Sequence, residues 1–194
     1  MNVGVMLVSM FVFSIVVWLL LSKLMRGAGD ASPKLVVGRQ LPVFECQTEN
    51  GETVSSSSLA GHNAVLVFVR GSWCPFCSEQ VKTVTQHYRR ITESGGKLII
   101  VTRKPLEITQ RVAEQFDVQF EFWLDKDLAA ATELDLVDEE AIPDRFHNDY
   151  GRRTIRPTVV VVDRNNLIRY SYRSVKPSDR PDPQNFMAVF DGLS

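Results

Sequence analysis

Residues 70–77 have the sequence Arg70-Gly71-Ser72-Trp73-Cys74-Pro75-Phe76-Cys77 and directly follow the apolar run Val65–Val69. The apolar run predicts a buried strand. After the two cysteines, apolar residues recur at helical spacing, at Val81, Val84, Tyr88 and Ile91. The two cysteines are therefore predicted to lie where a strand ends and a helix begins, a context that favours redox chemistry.

The predicted position of Cys74 favours its thiolate form. Unpaired backbone N–H groups and the positive end of the helix dipole stabilise an anion at a helix N-terminus. The thiolate is the nucleophilic form of cysteine. Cys77 can attack a mixed disulfide on Cys74 at high effective concentration. We therefore expect Cys74 to be the nucleophile and Cys77 the resolving thiol, with Pro75 in the first helical turn, where proline is tolerated.

Zinc binding and a structural disulfide are two other uses of a Cys-x-x-Cys pair. A structural zinc site needs four ligands, but the only other cysteine is Cys46, and His62, His87 and His147 are scattered. A disulfide that closes so short a loop restrains little of the unfolded chain. The sequence therefore favours a redox pair that uses neither a metal nor a cofactor.

The composition indicates one soluble domain with an N-terminal appendage. The chain has 194 residues and a net charge of −1, which does not suggest a nucleic-acid partner. Residues 1–22 carry no charged side chain, and about 20 apolar residues suffice to span a bilayer. A cleaved signal peptide is the closest alternative, but it would have a basic start, a shorter apolar run and a clear cleavage site. We predict a single transmembrane anchor over residues 1–26 that contacts lipid through residues 3–22.

The side of the membrane on which the soluble domain lies stays open. Lys23 and Arg26 flank the predicted span on its C-terminal side, and the positive-inside rule then places the domain in the cytoplasm. Tethered dithiol domains on bacterial membranes often face the periplasm, which is an argument by analogy. Residues 27–37 include small, polar and proline residues and are predicted to be a flexible linker to a domain over 38–194.

The rest of the chain alternates between predicted strands and helices. Strands are predicted at 43–47, 53–54, 65–70, 98–101, 120–124, 158–162 and 167–172, with Asn50-Gly51 as a hairpin turn. Helices are predicted at about 76–92, 106–116, 127–134 and 183–190. This alternation indicates an α/β sheet with helices on both faces.

Several short motifs resemble the redoxin domain of the alkyl hydroperoxide reductase/thiol-specific antioxidant (peroxiredoxin-like) family, within the thioredoxin-fold superfamily. They are Leu41-Pro42-Val43-Phe44, Trp73–Cys77, Arg156-Pro157-Thr158, Asp163–Tyr170 and Asp179–Pro183. The resemblance covers about residues 38–192 and implies an α/β thioredoxin-like fold, in which helices flank a central mixed sheet.

The resemblance also implies roles for individual residues. Pro157 would follow a cis peptide bond and pack beside Cys74, the more exposed of the two thiols. Arg156 would then be close enough to stabilise a thiolate or an anionic transition state. Trp73 would either shield the site or be a partly buried aromatic residue. Cys46 is expected to be a small buried hydrophobic residue.

Three functions are compatible with these features. The first is a thiol–disulfide oxidoreductase that reduces a protein disulfide and is reset by an upstream thiol reductant. The second is a thiol peroxidase acting on a hydroperoxide, although Gly71 and Val67 stand where typical peroxiredoxins have a Thr or Ser and a proline. The third is a membrane-tethered copper carrier, which usually has three residues between its thiols and a downstream ligand histidine, here His147 at best.

Overall fold

The computed structural model describes residues 32–104, 118 and 121–193, together with Ser14. In this part of the chain the elements are, in order, β1 Glu45–Gln47, β2 Thr53–Ser55, β3 Ala64–Phe68, α1 Pro75–Thr85, α2 Tyr88–Glu93, β4 Lys97–Thr102, β5 Glu121–Leu124, α3 Ala129–Glu133, β6 Val137–Asp138, α4 His147–Tyr150, β7 Thr154–Ile155, β8 Thr158–Val162, β9 Ile168–Arg173 and α5 Pro183–Asp191. Short 3-10 turns occupy Ser56–Leu59 and Asp144–Phe146.

Seven strands form one mixed sheet in the order β2-β1-β5-β4-β3-β8-β9. Strands β3, β4 and β5 are parallel, and the remaining neighbours pair antiparallel. Strand β3 is fully buried between β4 and β8. The Cys-x-x-Cys segment follows this strand, so it begins at the centre of the sheet.

The two faces of the sheet carry separate apolar clusters because successive side chains of a strand point to opposite sides. On β3, Leu66 and Phe68 join one cluster together with residues around α3. Val65 and Val67 join the other, together with α1, α5 and both active-site cysteines. Helices therefore cover both faces of a central mixed sheet, which is the architecture that the resemblance implied.

Cys46 lies in the cluster opposite the cysteine pair. It is only 4% exposed, which confirms the prediction of a buried hydrophobic residue. Burial, followed by the charge of Asp125, raises the pKa of Cys46 to about 12. A protonated thiol separated from the pair by the sheet is poorly placed to be a second resolving group.

The predicted elements within the described residues agree with the structure except at one helix, and the two-stranded sheet β6–β7 and helix α4 were not predicted. Cys46 pairs with Val54 across the predicted hairpin. The single helix expected over 76–92 is instead divided into α1 and α2. The hydroxyls of Thr83 and Thr85 donate to the carbonyls four residues earlier, each at 2.8 Å, a pattern that weakens and bends helices. The helix predicted over 106–116 lies outside the described residues.

Most of the N-terminal segment for which the sequence predicts an anchor and a linker lies outside the described residues. The anchor over 1–26 lies outside the described residues apart from Ser14. No helix within the described ranges combines the length and the apolar character needed to cross a bilayer. The linker over 27–37 was predicted too long, because Ser32 and Leu35 are fully buried and Ser32 Oγ donates to the Leu134 carbonyl at 2.8 Å. The packed domain therefore includes residue 32.

Candidate active site

Cys74 and Cys77 lie at the N-terminus of α1. Cys74 is the N-cap residue with extended backbone angles, φ −97° and ψ 107°, and Pro75 is the first helical residue, as predicted. The N–H groups of Cys77 and Ser78 donate to the Cys74 carbonyl at 3.0 and 3.2 Å. This first turn fixes both cysteines on one short stretch of backbone, and both are free thiols.

Both cysteines are buried, which corrects the expectation of an exposed Cys74. Cys74 is 1% exposed and Cys77 is fully buried. The guanidinium of Arg180 lies against both, with Nη2 3.2 Å from Cys77 Sγ and 3.9 Å from Cys74 Sγ. The backbone N–H of Arg70 donates to Cys77 Sγ at 3.4 Å. Arg180, which lies in the segment that leads into α5, therefore covers the Cys74 thiol.

The surroundings of the two sulfurs move their pKa values in opposite directions. The hydrogen bond from the Cys77 side chain is the largest cause that lowers the pKa of Cys74 to about 6, against the opposing effect of burial. The Cys77 backbone N–H and the charges of Arg180 and Arg70 lower it further. The hydrogen bond to Cys74 and burial raise the pKa of Cys77 well above its ordinary value. These opposite pKa shifts favour the thiolate on Cys74 and the proton on Cys77.

Trp73 holds Arg70 beside the site. The Arg70 guanidinium carbon lies 4.7 Å from the centre of the Trp73 ring, and the same side chain donates to the Ala141 carbonyl. Trp73 packs against Phe146 and Tyr150, with ring centres 5.9 and 6.5 Å apart. The half-buried indole is therefore part of an aromatic wall that positions a cation near the thiols.

The two residues before Trp73 provide no hydroxyl directed at Cys74. Gly71 has a φ of +147°, and a β-carbon there would come within 2.9 Å of Trp73 Nε1. A Thr or Ser at this position would require the indole to shift. The Ser72 hydroxyl lies 2.7 Å from the Tyr150 hydroxyl, so its hydrogen bond is directed into the aromatic wall.

Arg156 and Pro157 lie in the connection between β7 and β8. Arg156 Nη2 is 3.9 Å from Asp138 Oδ1. The prediction of a cis bond before Pro157 is wrong, since every peptide bond in the described ranges is trans. Trans is the intrinsic preference of X–Pro bonds, and a proline at the start of a strand needs no special geometry. The cation in contact with the sulfurs is Arg180, not Arg156.

Sequence reasoning gave Arg180 and Arg70 no role. Arg180 is 103 positions from Cys77, and no local periodicity connects the two. The only available signal was the motif Asp179–Pro183, noted solely as part of the family resemblance. Arg70 was visible in the opening motif, but nothing in the sequence showed that its side chain would fold back over Trp73.

The described residues give no geometric support for a copper carrier. Within them, no group of three or more His, Cys, Asp or Glu side chains is arranged to hold a metal ion. The histidine considered as a ligand, His147, has its Nε2 2.7 Å from the Ile142 carbonyl oxygen.

Comparisons with known proteins found a matching family model and several similar proteins. The family model described as "AhpC/TSA family" matches residues 37–171. The bcp protein of Coxiella burnetii, named as a peroxiredoxin, is 21% identical over 140 residues, which cover 72% of this chain and 89% of that protein. The thiol-disulfide oxidoreductase ResA of Halalkalibacterium halodurans is 23% identical over 133 residues, or 68% of this chain and 66% of ResA.

A solved structure supports the fold. The PrxQ of Xylella fastidiosa matches with a TM-score of 0.60 at 13% identity, over 82% of this chain and 95% of that one. The α/β thioredoxin-like fold is therefore confirmed, with a mixed sheet flanked by helices.

Proposed function

Since this chain belongs to the AhpC/TSA family and is therefore an oxidoreductase, we propose that it is a thiol–disulfide oxidoreductase, in which Cys74 attacks and Cys77 resolves. The observation that carries the proposal is the placement of both cysteines in the first turn of α1, with the Arg180 guanidinium 3.2 Å from Cys77 Sγ and 3.9 Å from Cys74 Sγ. The opposite pKa shifts of the two thiols favour Cys74 as the attacking thiolate. A pair already in contact forms its disulfide without a rearrangement of the helix.

The reaction has two exchange steps. Cys74 thiolate attacks one sulfur of the substrate disulfide, whose S–S bond breaks, and the departing thiolate takes up a proton. Cys77 then loses its proton and attacks Cys74 Sγ, which releases the second substrate sulfur as a thiol. Two electrons have passed to the substrate, and the Cys74–Cys77 disulfide is reduced again by an upstream dithiol.

Arg180 supports both steps as a cation in contact with both sulfurs. It stabilises the attacking thiolate of Cys74, and it lies closer to Cys77 Sγ, where negative charge develops in the second step. Charge-assisted hydrogen bonds are stronger than neutral ones. Since the same guanidinium covers Cys74, we infer that it moves aside when a protein disulfide approaches.

The burial of Cys74 favours a second candidate, a thiol peroxidase. A hydroperoxide is small enough to reach a cysteine that is only 1% exposed. Cys74 thiolate would take the distal peroxide oxygen as a sulfenic acid and release an alcohol or water, and Cys77 would condense with it to a disulfide and water. Two features argue against fast peroxide reduction. Gly71 has no hydroxyl, and the Ser72 hydroxyl is hydrogen-bonded to Tyr150 rather than directed at the Cys74 sulfur.

The two candidates differ in their rates of single-turnover oxidation. The reduced full-length protein is mixed in a stopped-flow instrument with a peptide disulfide and, separately, with hydrogen peroxide, and oxidation is followed by tryptophan fluorescence. We expect the disulfide to react at least about tenfold faster at equal concentration, because the thiolate serves both reactions whereas no hydroxyl of residue 71 or 72 is directed at the sulfur to position a peroxide. Cys74→Ser is the control and abolishes both signals. Faster oxidation by peroxide would replace the proposal with the peroxidase.

We also propose that residues 3–22 anchor the enzyme in a membrane. The support is the absence of charged side chains from residues 1–22, which suits a spanning helix. The full-length chain is expected to stay in the membrane fraction at alkaline pH and to be released by detergent, as judged by immunoblotting of the fractions. A deletion of residues 3–22 is the control and should appear in the soluble fraction. Release of the intact chain without detergent would contradict the anchor.

A further inference from the structure

Arg180 lies in the segment that leads into α5, residues 174–182, between β9 and α5. Its Nη1 donates to two backbone carbonyls of the same segment, those of Pro177 at 3.1 Å and Asp179 at 2.5 Å. Its Nη2 lies against the two sulfurs. The position of the guanidinium over the cysteine pair therefore depends on where the segment places these two carbonyls.

Asp179 joins this segment to itself and to strand β9. The Tyr172 hydroxyl on β9 donates to Asp179 Oδ1, and the Val175 N–H donates to Oδ2 at 3.0 Å. The Ser174 hydroxyl donates at 2.6 Å to the Asp179 carbonyl oxygen, which also accepts from Arg180. One residue thus fixes the segment to the sheet through its side chain and holds the guanidinium through its backbone.

Tyr172 remains a hydrogen-bond donor over the pH range in which Cys74 ionises. Burial, followed by the hydrogen bond to Asp179, raises the pKa of Tyr172 above its ordinary value. The charges of Asp179 and Tyr170 raise this pKa further, and the charge of Arg180 opposes them. A protonated hydroxyl that faces a carboxylate forms a charge-assisted hydrogen bond, which is stronger than a neutral one. The contact is therefore suited to hold the segment in one position.

We propose that Asp179 is a positioning residue, which together with Tyr172 holds the Arg180 guanidinium against the Cys74 thiolate. Within the described residues, the hydrogen bonds of the Asp179 and Tyr172 side chains stay within β9 and the segment, and none goes to a sulfur. Both residues therefore act through Arg180. The proposal deepens the thiol–disulfide function and rests on it, because the guanidinium supports the attacking thiolate.

The sign of the change in the Cys74 pKa tests this role. A carboxylate near a thiolate raises the thiol pKa, so loss of the Asp179 charge by itself would lower the pKa of Cys74 or leave it unchanged. Loss of the placement of Arg180 would raise it. The charges that lower the Cys74 pKa are those of Arg180 and Arg70, and Asp179 is not among its causes. A raised pKa in Asp179→Ala therefore reports a displaced guanidinium.

The experiment measures the pH profile of iodoacetamide alkylation at Cys74 in the reduced full-length protein, by mass spectrometry of the Cys74 peptide. We expect Asp179→Ala to raise the midpoint by about half a unit, which slows alkylation about twofold at pH 6. Tyr172→Phe keeps every charge and the aromatic ring, and is expected to raise the midpoint by a smaller amount. In the Arg180→Met background, Asp179→Ala should cause no further rise, because changes that act through a shared partner are not additive.

Asp182→Ala is the matched control. It makes the same substitution in the same segment and removes the hydrogen bond from the Gln184 N–H to Asp182 Oδ1 at 2.9 Å, which caps α5. We expect a lower Tm, because an N-cap is lost, together with an unchanged midpoint. The control separates general loosening of the segment from loss of the hold on Arg180.

Three outcomes would overturn the inference. They are an unchanged or lowered midpoint in Asp179→Ala, a rise of the same size when Arg180 is already methionine, and an equal rise in Asp182→Ala. If Asp179→Ala does not fold, Tyr172→Phe decides alone, and an unchanged midpoint in that variant refutes the inference.

Alkylation uses no disulfide substrate, so this result is independent of the exchange reaction. The expected shifts in a protein that does not exchange with disulfides would refute the proposed function alone. Normal exchange with unshifted midpoints would refute this inference alone.

Discussion

Replacement of Cys77 by serine is expected to stop turnover and to leave the substrate attached to Cys74 as a mixed disulfide. The first step needs only the Cys74 thiolate, whereas release needs a second thiol in contact with it. Well-oriented intramolecular groups act at effective concentrations of about 10⁵ M or more. An external thiol at millimolar concentration replaces Cys77 poorly, so we expect steady-state turnover to fall by at least about a thousandfold.

Intact-mass spectrometry after mixing with a peptide disulfide measures the trapped adduct. Cys77→Ala is the informative comparison, because serine can still donate a hydrogen bond to Cys74 and alanine cannot. Since the Cys77 side-chain hydrogen bond is the largest cause of the low Cys74 pKa, the alanine variant should form the adduct more slowly at neutral pH. Rapid turnover by Cys77→Ser would show that another thiol resolves the adduct, and repeating the assay with Cys46→Ser would test the only other cysteine.

Replacement of Arg180 by methionine is expected to raise the pKa of Cys74 and to slow its reactions in mildly acidic solution. In the unaltered protein, the rate of alkylation by iodoacetamide should rise with pH through about 6 and level off above it, because only the thiolate reacts. Cys77 stays protonated over this range because its pKa is raised. An opposite charge within 4–6 Å lowers an acidic pKa by about 1–3 units.

Loss of the Arg180 charge should therefore move the midpoint of the profile upward by about one unit, which slows alkylation about fivefold at pH 6. The midpoint, rather than the plateau rate, is the quantity to compare, because methionine can also change access to the buried sulfur. Arg180→Lys keeps the positive charge and should keep most of the shift. An unchanged midpoint in Arg180→Met would show that the arginine is not a determinant of thiolate stability.

Arg156→Met tests the cation that the sequence suggested. Its guanidinium lies 3.9 Å from Asp138 Oδ1, and it is absent from the causes that lower the Cys74 pKa, which include Arg180 and Arg70. Comparing Arg156→Met with Arg180→Met in the same alkylation assay therefore decides which arginine lowers the pKa of Cys74. A shift in Arg156→Met and none in Arg180→Met would reverse the assignment.

Local pattern was sufficient to predict most of the fold. The apolar run before the cysteines became central strand β3, and Asn50-Gly51 became the hairpin turn between β1 and β2. These features depend on hydrophobic periodicity and turn chemistry, which act over a few residues. The division of the predicted helix into α1 and α2 was missed. Apolar residues keep their helical spacing across residues 86–87, but the helical backbone is interrupted there.

The sequence by itself was also sufficient to predict the reacting pair. The Cys-x-x-Cys spacing and its place between a strand and a helix led to the prediction of Cys74 as the nucleophile and Cys77 as its partner, because the spacing and the helix start both belong to one turn of backbone. Only the tertiary structure decided what surrounds the two sulfurs. Arg180 reaches the site through the packing of the α5 segment against α1. Coulombic and hydrogen-bonding effects depend on distances in space, and residues about a hundred positions apart leave no periodic signal of their proximity.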